Sequence, residues 1–147
     1  MKNHRAFLGL AFVLTSILPC FAHHMAVVVN KDSSVATITS LQLAKILLLD
    51  ERKWPGGRDV LVVLHSDHAS ETLTLGHLCG MSSRDVKAFV ASHKSSFTEV
   101  DSDREVLRIV EATPGALGLV DVRSINDQVR VLKVDGKLPM EEGYLPH

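Results

Sequence analysis

Short apolar segments alternate with segments of helical periodicity along this chain, and that alternation limits the fold more than any other feature. Met25 to Val29 and Val60 to Leu64 are apolar runs rich in valine, and each is followed by polar residues, as in strands buried on both faces. Apolar residues recur at helical spacing from Leu41 to Leu49 and in the segment that ends at Cys79. This βαβα order predicts an α/β fold with an open, mostly parallel sheet and helices on both faces.

Residues that favour helix ends lie beside these segments. Thr39 or Ser40 can cap the first predicted helix, and Gly80 ends the second.

The second half of the chain continues the pattern. A serine, Ser82 or Ser83, begins a predicted helix, and Ser102 with Glu105 three positions later is a capping box that begins another. Two further strands are predicted, Ala116 to Val120 and Val129 to Val134.

Ligands of open α/β sheets bind beyond the carboxyl ends of the strands. On this basis the loops expected to form a site are Asn30 to Ser34, His65 to Thr72 and the segment around Asp121.

The first 22 residues have the organisation of a secretory signal peptide. Lys2 and Arg5 provide a positive start, Ala6 to Leu18 is almost uninterruptedly apolar, and small residues precede a cleavage position after Ala22. The apolar run is shorter than the roughly 20 residues that span a membrane. We therefore expect residues 1–22 to be removed on export and residues 23–147 to form a periplasmic domain.

Composition and motifs exclude several classes of function. The formal net charge is -1, without the strongly basic balance of nucleic-acid-binding proteins. The sequence contains no glycine-flanked serine elbow, Walker loop or dinucleotide fingerprint, so we expect neither an enzyme nor a cofactor.

Only Cys79 follows the predicted cleavage position, so no internal disulfide is expected, and the residue fits a buried apolar position better than a nucleophile.

Four segments occur in an order that is similar to a known family. They are Val27 to Asn30 with the Leu41 to Leu48 helix, Trp54 to Arg58 leading into Val60 to Val63, the TPGALGLV of Thr113 to Val120, and Val129 to Gly136 with Pro139 and Tyr144. Together they resemble the substrate-binding proteins of phosphate-type ABC transporters, which have the type 2 periplasmic-binding-protein fold. Full members are about twice as long and enclose their ligand between two lobes. The resemblance therefore implies one lobe, or a minimal form, of that fold.

The family's phosphate loop follows its second strand and contains an arginine, then a serine, glycine, threonine motif. The matching stretch here keeps Ser70 and Thr72 but has Ser66 at the arginine position and Glu71 at the glycine position. Hydroxyls and amides at a helix N-terminus favour an anion, whereas the charge of Glu71 is expected to repel one. An alternative is that Ser70 and Glu71 only begin the helix. The predicted ligand-binding residues are Asn30, Ser66, Ser70 and Thr72.

The resemblance implies an exported, solute-binding module for phosphate or another small anion in transport or sensing, with a membrane transporter or another envelope protein as partner. One alternative is an accessory or interaction protein that keeps the fold without binding a ligand and that could pair as a homodimer.

A third alternative is a metal-binding protein. His65 and His68 could share a site near His77 and Cys79, since transition metals favour imidazole and thiolate ligands. The leading hypothesis assigns no metal ligand and takes these histidines as surface or capping residues. His23 and His24 could bind copper or nickel incidentally.

Overall fold

The computed structural model describes residues 24–146, which contain the predicted alternation of strands and helices. The predicted signal peptide and its cleavage position lie outside these residues. The strands are β1 Met25–Asn30, β2 Thr37–Ile38, β3 Leu61–His65, β4 Phe97–Val100, β5 Ala116–Asp121, β6 Val129–Val131 and β7 Lys133–Val134. The helices are α1 Ser40–Leu47, α2 Ala69–Cys79, α3 Ser83–Ser92 and α4 Asp103–Ala112. No helix within residues 24–146 combines the length and apolar character needed to cross a membrane.

The main sheet has five strands in the order β4-β3-β5-β1-β6. Strand β3 pairs in parallel with β4 and β5, whereas β1 pairs antiparallel with both β5 and β6. Strands β3, β4, β5 and β6 therefore point the same way, and β1 alone is reversed. The prediction of an open, mostly parallel α/β sheet is confirmed.

The reversed direction of β1 corrects one expectation. Met25, the first residue of β1, lies opposite Asp121, the last residue of β5. The carboxyl end of β1 therefore lies at the opposite edge of the sheet from the carboxyl ends of β3, β4 and β5. The expectation that the loop after Asn30 joins the loops after His65 and Asp121 is wrong for this reason.

Both faces of the sheet are covered by helices, as predicted. One apolar cluster joins Val27 and Val29 of β1 to side chains of α1, α2 and α3. The other joins Val28 to side chains of α4. Helix α4 approaches the sheet closely at Gly118, where an added Cβ would lie 2.5 Å from Cγ1 of Val106. Glycine at this position of β5 therefore lets α4 pack directly on the backbone.

The helix ends follow the predicted capping residues, with one exception. Thr39 and Gln42 form a capping box at α1, Gly80 ends α2 with φ at 66°, and Ser82 caps α3. At α4 the Ser102 hydroxyl accepts a hydrogen bond from the Glu105 amide at 3.3 Å, whereas the Glu105 carboxylate binds Arg108, so only one half of the predicted capping box forms. The exception is α2, whose N-cap is His68.

Strand assignments differ from the prediction at two places. Strand β4 was not predicted, because it lies at the edge of the sheet and only Phe97 of its four residues is buried. The predicted strand Val129 to Val134 is divided at the buried residue Leu132, beyond which β7 pairs with β2 in a separate two-stranded sheet. The chain therefore leaves the main sheet at Leu132.

The C-terminal segment has turns and no regular helix or strand up to residue 146, but it is anchored by Tyr144. The buried Tyr144 hydroxyl accepts a hydrogen bond from the Val27 amide at 3.1 Å and donates one to the Leu132 carbonyl at 2.7 Å. Burial raises the pKa of this hydroxyl to about 12, so it stays protonated and can donate at neutral pH. Tyr144 thereby completes the hydrogen bonding of β1 where β6 ends.

Replacing Tyr144 by Phe should lower the free energy of unfolding by about 1–3 kcal/mol, because the Val27 amide and the Leu132 carbonyl lose a buried partner. Urea denaturation followed by circular dichroism measures the change. The matched control is Thr37→Val, which removes an exposed hydroxyl and should change stability by less than about 0.5 kcal/mol. Equal stability of Tyr144→Phe and the wild type would contradict this role.

Candidate functional site

The carboxyl ends of β3, β4 and β5 meet at one edge of the main sheet. The loop from His65 to His68 leaves β3 here, Asp103 begins α4 just after β4, and Asp121 leads from β5 into a short 3-10 helix, Val122–Ser124. The Ser66 amide donates to the Val100 carbonyl at 2.7 Å, which joins the first two loops. This edge therefore gathers most of the polar side chains predicted to be functional.

The Asp103 carboxylate holds these loops together. Its Oδ1 lies 2.9 Å from Nδ1 of His65, and its Oδ2 accepts hydrogen bonds from the Asp121 amide at 2.9 Å and the Ser124 hydroxyl at 2.7 Å. The acid also lies in the first turn of α4, where the helix dipole favours a negative charge. Sequence reasoning missed Asp103, because its position at the sheet edge depends on β4, which was not predicted.

Glu71 is buried, with 2% of its surface exposed. Its Oε1 and Oε2 lie 3.1 and 3.3 Å from the His65 amide nitrogen, which donates to the carboxyl at the end of β3. Burial raises the pKa of the Glu71 carboxyl well above its usual value of 4.5, and the nearby charge of Asp103 adds to this, against the lowering effect of the His65 amide. The expectation that Glu71 presents a negative charge at the mouth of the helix is therefore wrong: its side chain turns inward and its neutral form is favoured.

The N-terminus of α2 is capped by His68, whose Nδ1 accepts a hydrogen bond from the Glu71 amide at 3.2 Å. The His68 carbonyl accepts from both the amide and the hydroxyl of Thr72. Within residues 24–146, the amides of Ala69 and Ser70 have no hydrogen-bond acceptor. The hydroxyls of Ser66 and Ser70 also have no hydrogen-bond partner there. Two amides and two hydroxyls are therefore available to a ligand around this helix end.

Three of the four predicted ligand-binding residues, Ser66, Ser70 and Thr72, lie around the start of α2, and Asn30 does not. Asn30 is buried at the opposite edge, where its Nδ2 donates to the carbonyls of Val110 and Glu111, both at 2.9 Å, and its Oδ1 accepts from the Asp32 amide at 3.0 Å. These bonds connect the end of β1 to the end of α4 and stabilise the turn after β1.

A surface cleft of about 340 Å³ opens beside the start of α2, between the His65 to His68 loop and helix α3. Ser66 and Thr72 line the cleft, whereas Ser70 does not. Its charged residues are Asp67, Glu71, Lys87, Lys94 and Glu99. Lys87 lies on α3, and Lys94 lies in the turn that follows the end of α3 at Ser92. Sequence reasoning missed these two lysines, because their position beside the loop after β3 depends on how α3 packs against α2.

A separate group of possible metal ligands lies at the same sheet edge. His65, His68 and Asp103 each place one ligand atom within 4.8 Å of the others. His77 and Cys79 do not join this group. His77 is exposed on α2, and burial raises the pKa of the Cys79 thiol, which disfavours its reactive thiolate form.

Comparison with family models finds no match to this chain. Solved structures do match, among them an ABC-type phosphate transport receptor from Vibrio cholerae, with a TM-score of 0.64 and 17% identity over 79% of this chain and 48% of that one. PstS from Borrelia burgdorferi matches with a TM-score of 0.64 and 18% identity over 79% of this chain and 49% of that one. A phosphate binding protein from Stenotrophomonas maltophilia matches with a TM-score of 0.61 and 20% identity over 80% of this chain and 40% of that one.

These matches show the fold. The chain has the fold of the substrate-binding proteins of phosphate ABC transporters and spans about half of the length of the solved structures it matches. The predicted minimal form of the type 2 periplasmic-binding-protein fold is thereby confirmed.

The raised pKa of Glu71 predicts a pH-dependent effect of Glu71→Gln. A carboxyl whose folded pKa exceeds its unfolded value of 4.5 costs no stability below that value and costs progressively more as the pH rises above it. Glutamine cannot ionise, so the melting temperature of the variant minus that of the wild type should increase between about pH 4 and about pH 8.

Thermal denaturation followed by circular dichroism measures this difference. Glu142→Gln, which removes an exposed carboxyl from the C-terminal segment, serves as control for the change in net charge. A difference for Glu71→Gln that does not vary with pH, or that decreases as the pH rises, would contradict the raised pKa of Glu71.

Proposed function

We propose that this chain is an exported, non-enzymatic module that binds phosphate or a similarly small anion, in transport or in sensing. The observation that carries the proposal is the cleft beside the start of α2, where Ser66, whose hydroxyl has no partner within residues 24–146, shares the lining with Lys87 and Lys94. The amides of Ala69 and Ser70 lie at the adjoining helix end, outside this lining, where the positive end of the helix dipole also favours an anion. The fold supports the proposal, since the matched structures are described as phosphate receptors and phosphate-binding proteins.

Positive charge for the anion would come from Lys87 on α3 and from Lys94 in the turn that follows α3. Ser66 stands where the resemblance expects an arginine, but these two lysines line the same cleft as Ser66. Lys87 makes only a long contact of 4.0 Å with Asp67, and both side chains are largely exposed. Such a pair holds the ammonium weakly, so Lys87 can turn to an incoming anion. A lysine ammonium binds phosphate as a point charge, without the two parallel hydrogen bonds of arginine.

The buried state of Glu71 removes one obstacle to anion binding. An ionised carboxylate beside the start of α2 would repel a phosphate across a few ångströms. Glu71 is buried and burial disfavours its charge, so the exposed charged side chains of the lining are those of Lys87, Lys94, Asp67 and Glu99. We expect a weakly selective site that prefers a small anion, since two carboxylates remain in the lining.

Export and partnership belong to the same proposal. Residues 1–22 would direct the chain to the periplasm, and a membrane transporter or another envelope protein would receive or sense the bound anion. The matched receptor from Vibrio cholerae is described as part of ABC-type phosphate transport, which supports a transporter as the partner class.

Isothermal titration with inorganic phosphate at low salt tests the proposal. The wild type should bind phosphate and gain thermal stability, and the double variant Lys87→Ala with Lys94→Ala should bind about tenfold more weakly, a loss of about 1.4 kcal/mol. Lys133→Ala, which removes an exposed lysine from β7, is the matched control and should bind like the wild type. Ser66→Ala should also weaken binding, because its hydroxyl lines the cleft.

Two outcomes would contradict the proposal. Wild-type protein that shows neither heat nor a thermal shift with millimolar phosphate or sulfate would favour an accessory protein that keeps the fold without binding a ligand. Equal loss of affinity in Lys133→Ala and in the double variant would show that general charge, and not the cleft beside α3, determines binding. Light scattering on the same samples would report whether the chain pairs as a homodimer.

A further inference from the structure

We propose that His65, His68 and Asp103 form a binding site for a transition-metal dication, with Zn²⁺ as the probe of choice. This inference goes beyond the proposed anion binding and does not rest on it. It adds a carboxylate to the two histidines that the sequence alone brings near each other, and it leaves out His77 and Cys79.

The three side chains lie on three separate elements that meet at one edge of the sheet. His65 is the last residue of β3, His68 is the N-cap of α2, and Asp103 is the first residue of α4. One ligand atom of each residue lies within 4.8 Å of the others. The centroids of the two imidazole rings are 4.7 Å apart, and the rings are tilted by 46°. The sheet edge therefore fixes a set of ligands that are far apart in sequence.

The separations of the ligand atoms suit a metal ion after small movements of the side chains. Two ligands bound at about 2.1 Å to a tetrahedral zinc ion stand about 3.4 Å apart. His65 Nδ1 and Asp103 Oδ1 are 2.9 Å apart, and the whole group lies within 4.8 Å. A pair of ligand atoms at the 4.8 Å limit would have to approach by about 1.4 Å, and His65 Nδ1 and Asp103 Oδ1 would have to separate by about 0.5 Å.

The chemistry of the set matches zinc and similar metals. Two imidazoles and one carboxylate combine the nitrogen and oxygen donors that bind Zn²⁺, and three protein ligands leave a fourth position for water or an anion. The His65 and Asp103 side chains are 17% and 14% exposed, so the group is shielded from bulk water and still reachable.

Surrounding groups orient the carboxylate. Asp103 Oδ2 accepts hydrogen bonds from the Asp121 amide and from the Ser124 hydroxyl. Partners of this kind hold a ligand in place and are typical of metal sites. The remaining oxygen, Oδ1, faces His65, where the ion would replace the proton that the two side chains share.

Metal binding has one structural cost, which makes the proposal testable. A neutral imidazole has a single lone pair, and that of His68 now accepts the hydrogen bond from the Glu71 amide. Whichever ring nitrogen binds the metal, the Glu71 amide loses this acceptor. The 3.2 Å length of the bond places it among the weaker hydrogen bonds of its kind.

The test titrates Zn²⁺ alone, without phosphate, into untagged protein that has been treated with a chelator. Isothermal titration should give one ion per chain, and Co²⁺ should give the visible absorption of a tetrahedral site. His68→Asn should weaken Zn²⁺ binding by about tenfold or more, since asparagine can still cap the helix but supplies no imidazole. His77→Ala removes an exposed histidine from the same helix and should leave the affinity unchanged.

Amide NMR of the wild type gives a second, independent measurement. On addition of Zn²⁺ the signals of His65, His68 and Glu71 should change most, with that of the Glu71 amide reporting the lost hydrogen bond. Absence of binding, equal affinity in His68→Asn, or changes confined to the histidines at positions 23 and 24 would each overturn the proposal. Because phosphate is omitted, none of these results bears on the proposed anion binding.

Discussion

The burial of β1 between two antiparallel partners is the constraint on which the other elements depend. All six residues of Met25–Asn30 are buried, so every polar backbone group of the strand needs a partner inside the protein. Strand β5 supplies partners along one side, and β6 supplies them along the other. Where β6 ends, the amide of Leu132 and the hydroxyl of Tyr144 take over, both bonded to Val27. On its other side β5 pairs in parallel with β3, and this pairing brings Asp121 to the same edge as His65.

Much of this architecture could be predicted from local sequence. The unbroken apolar run of β1 indicates a strand buried on both faces, and the structure divides its valines between the two apolar clusters. Local chemistry also identified helix ends such as Thr39, Gly80 and Ser82. The direction of β1 could not be predicted, since pairing partners are chosen by contacts distant in sequence. Edge strand β4 was missed because only Phe97 is buried.

Prediction of the candidate site from the sequence has the same limits. The position of the loop after β3 follows from the order of elements, and so three of four proposed residues lie around the start of α2. The inward turn of Glu71 could not be foreseen, because it depends on the position of the His65 amide relative to the helix. The role of Asp103 depends on contacts with residues on three other elements. At this edge, Lys87 and Lys94 beside the inward-turned Glu71 suit an anion, while the imidazoles and Asp103, on the side of α4, suit a cation.

Asn30 has a consequence for the mechanics of the fold. Its amide group binds the carbonyls of Val110 and Glu111, 80 and 81 residues away in sequence, at the end of α4. At the other end of α4, Asp103 is tied to β3 and β5. The helix is thus bound to the sheet at both termini, and unwinding from either end would break these bonds. Helix α4 therefore forms a structural link between Asp103 at one edge of the sheet and Asn30 at the opposite edge.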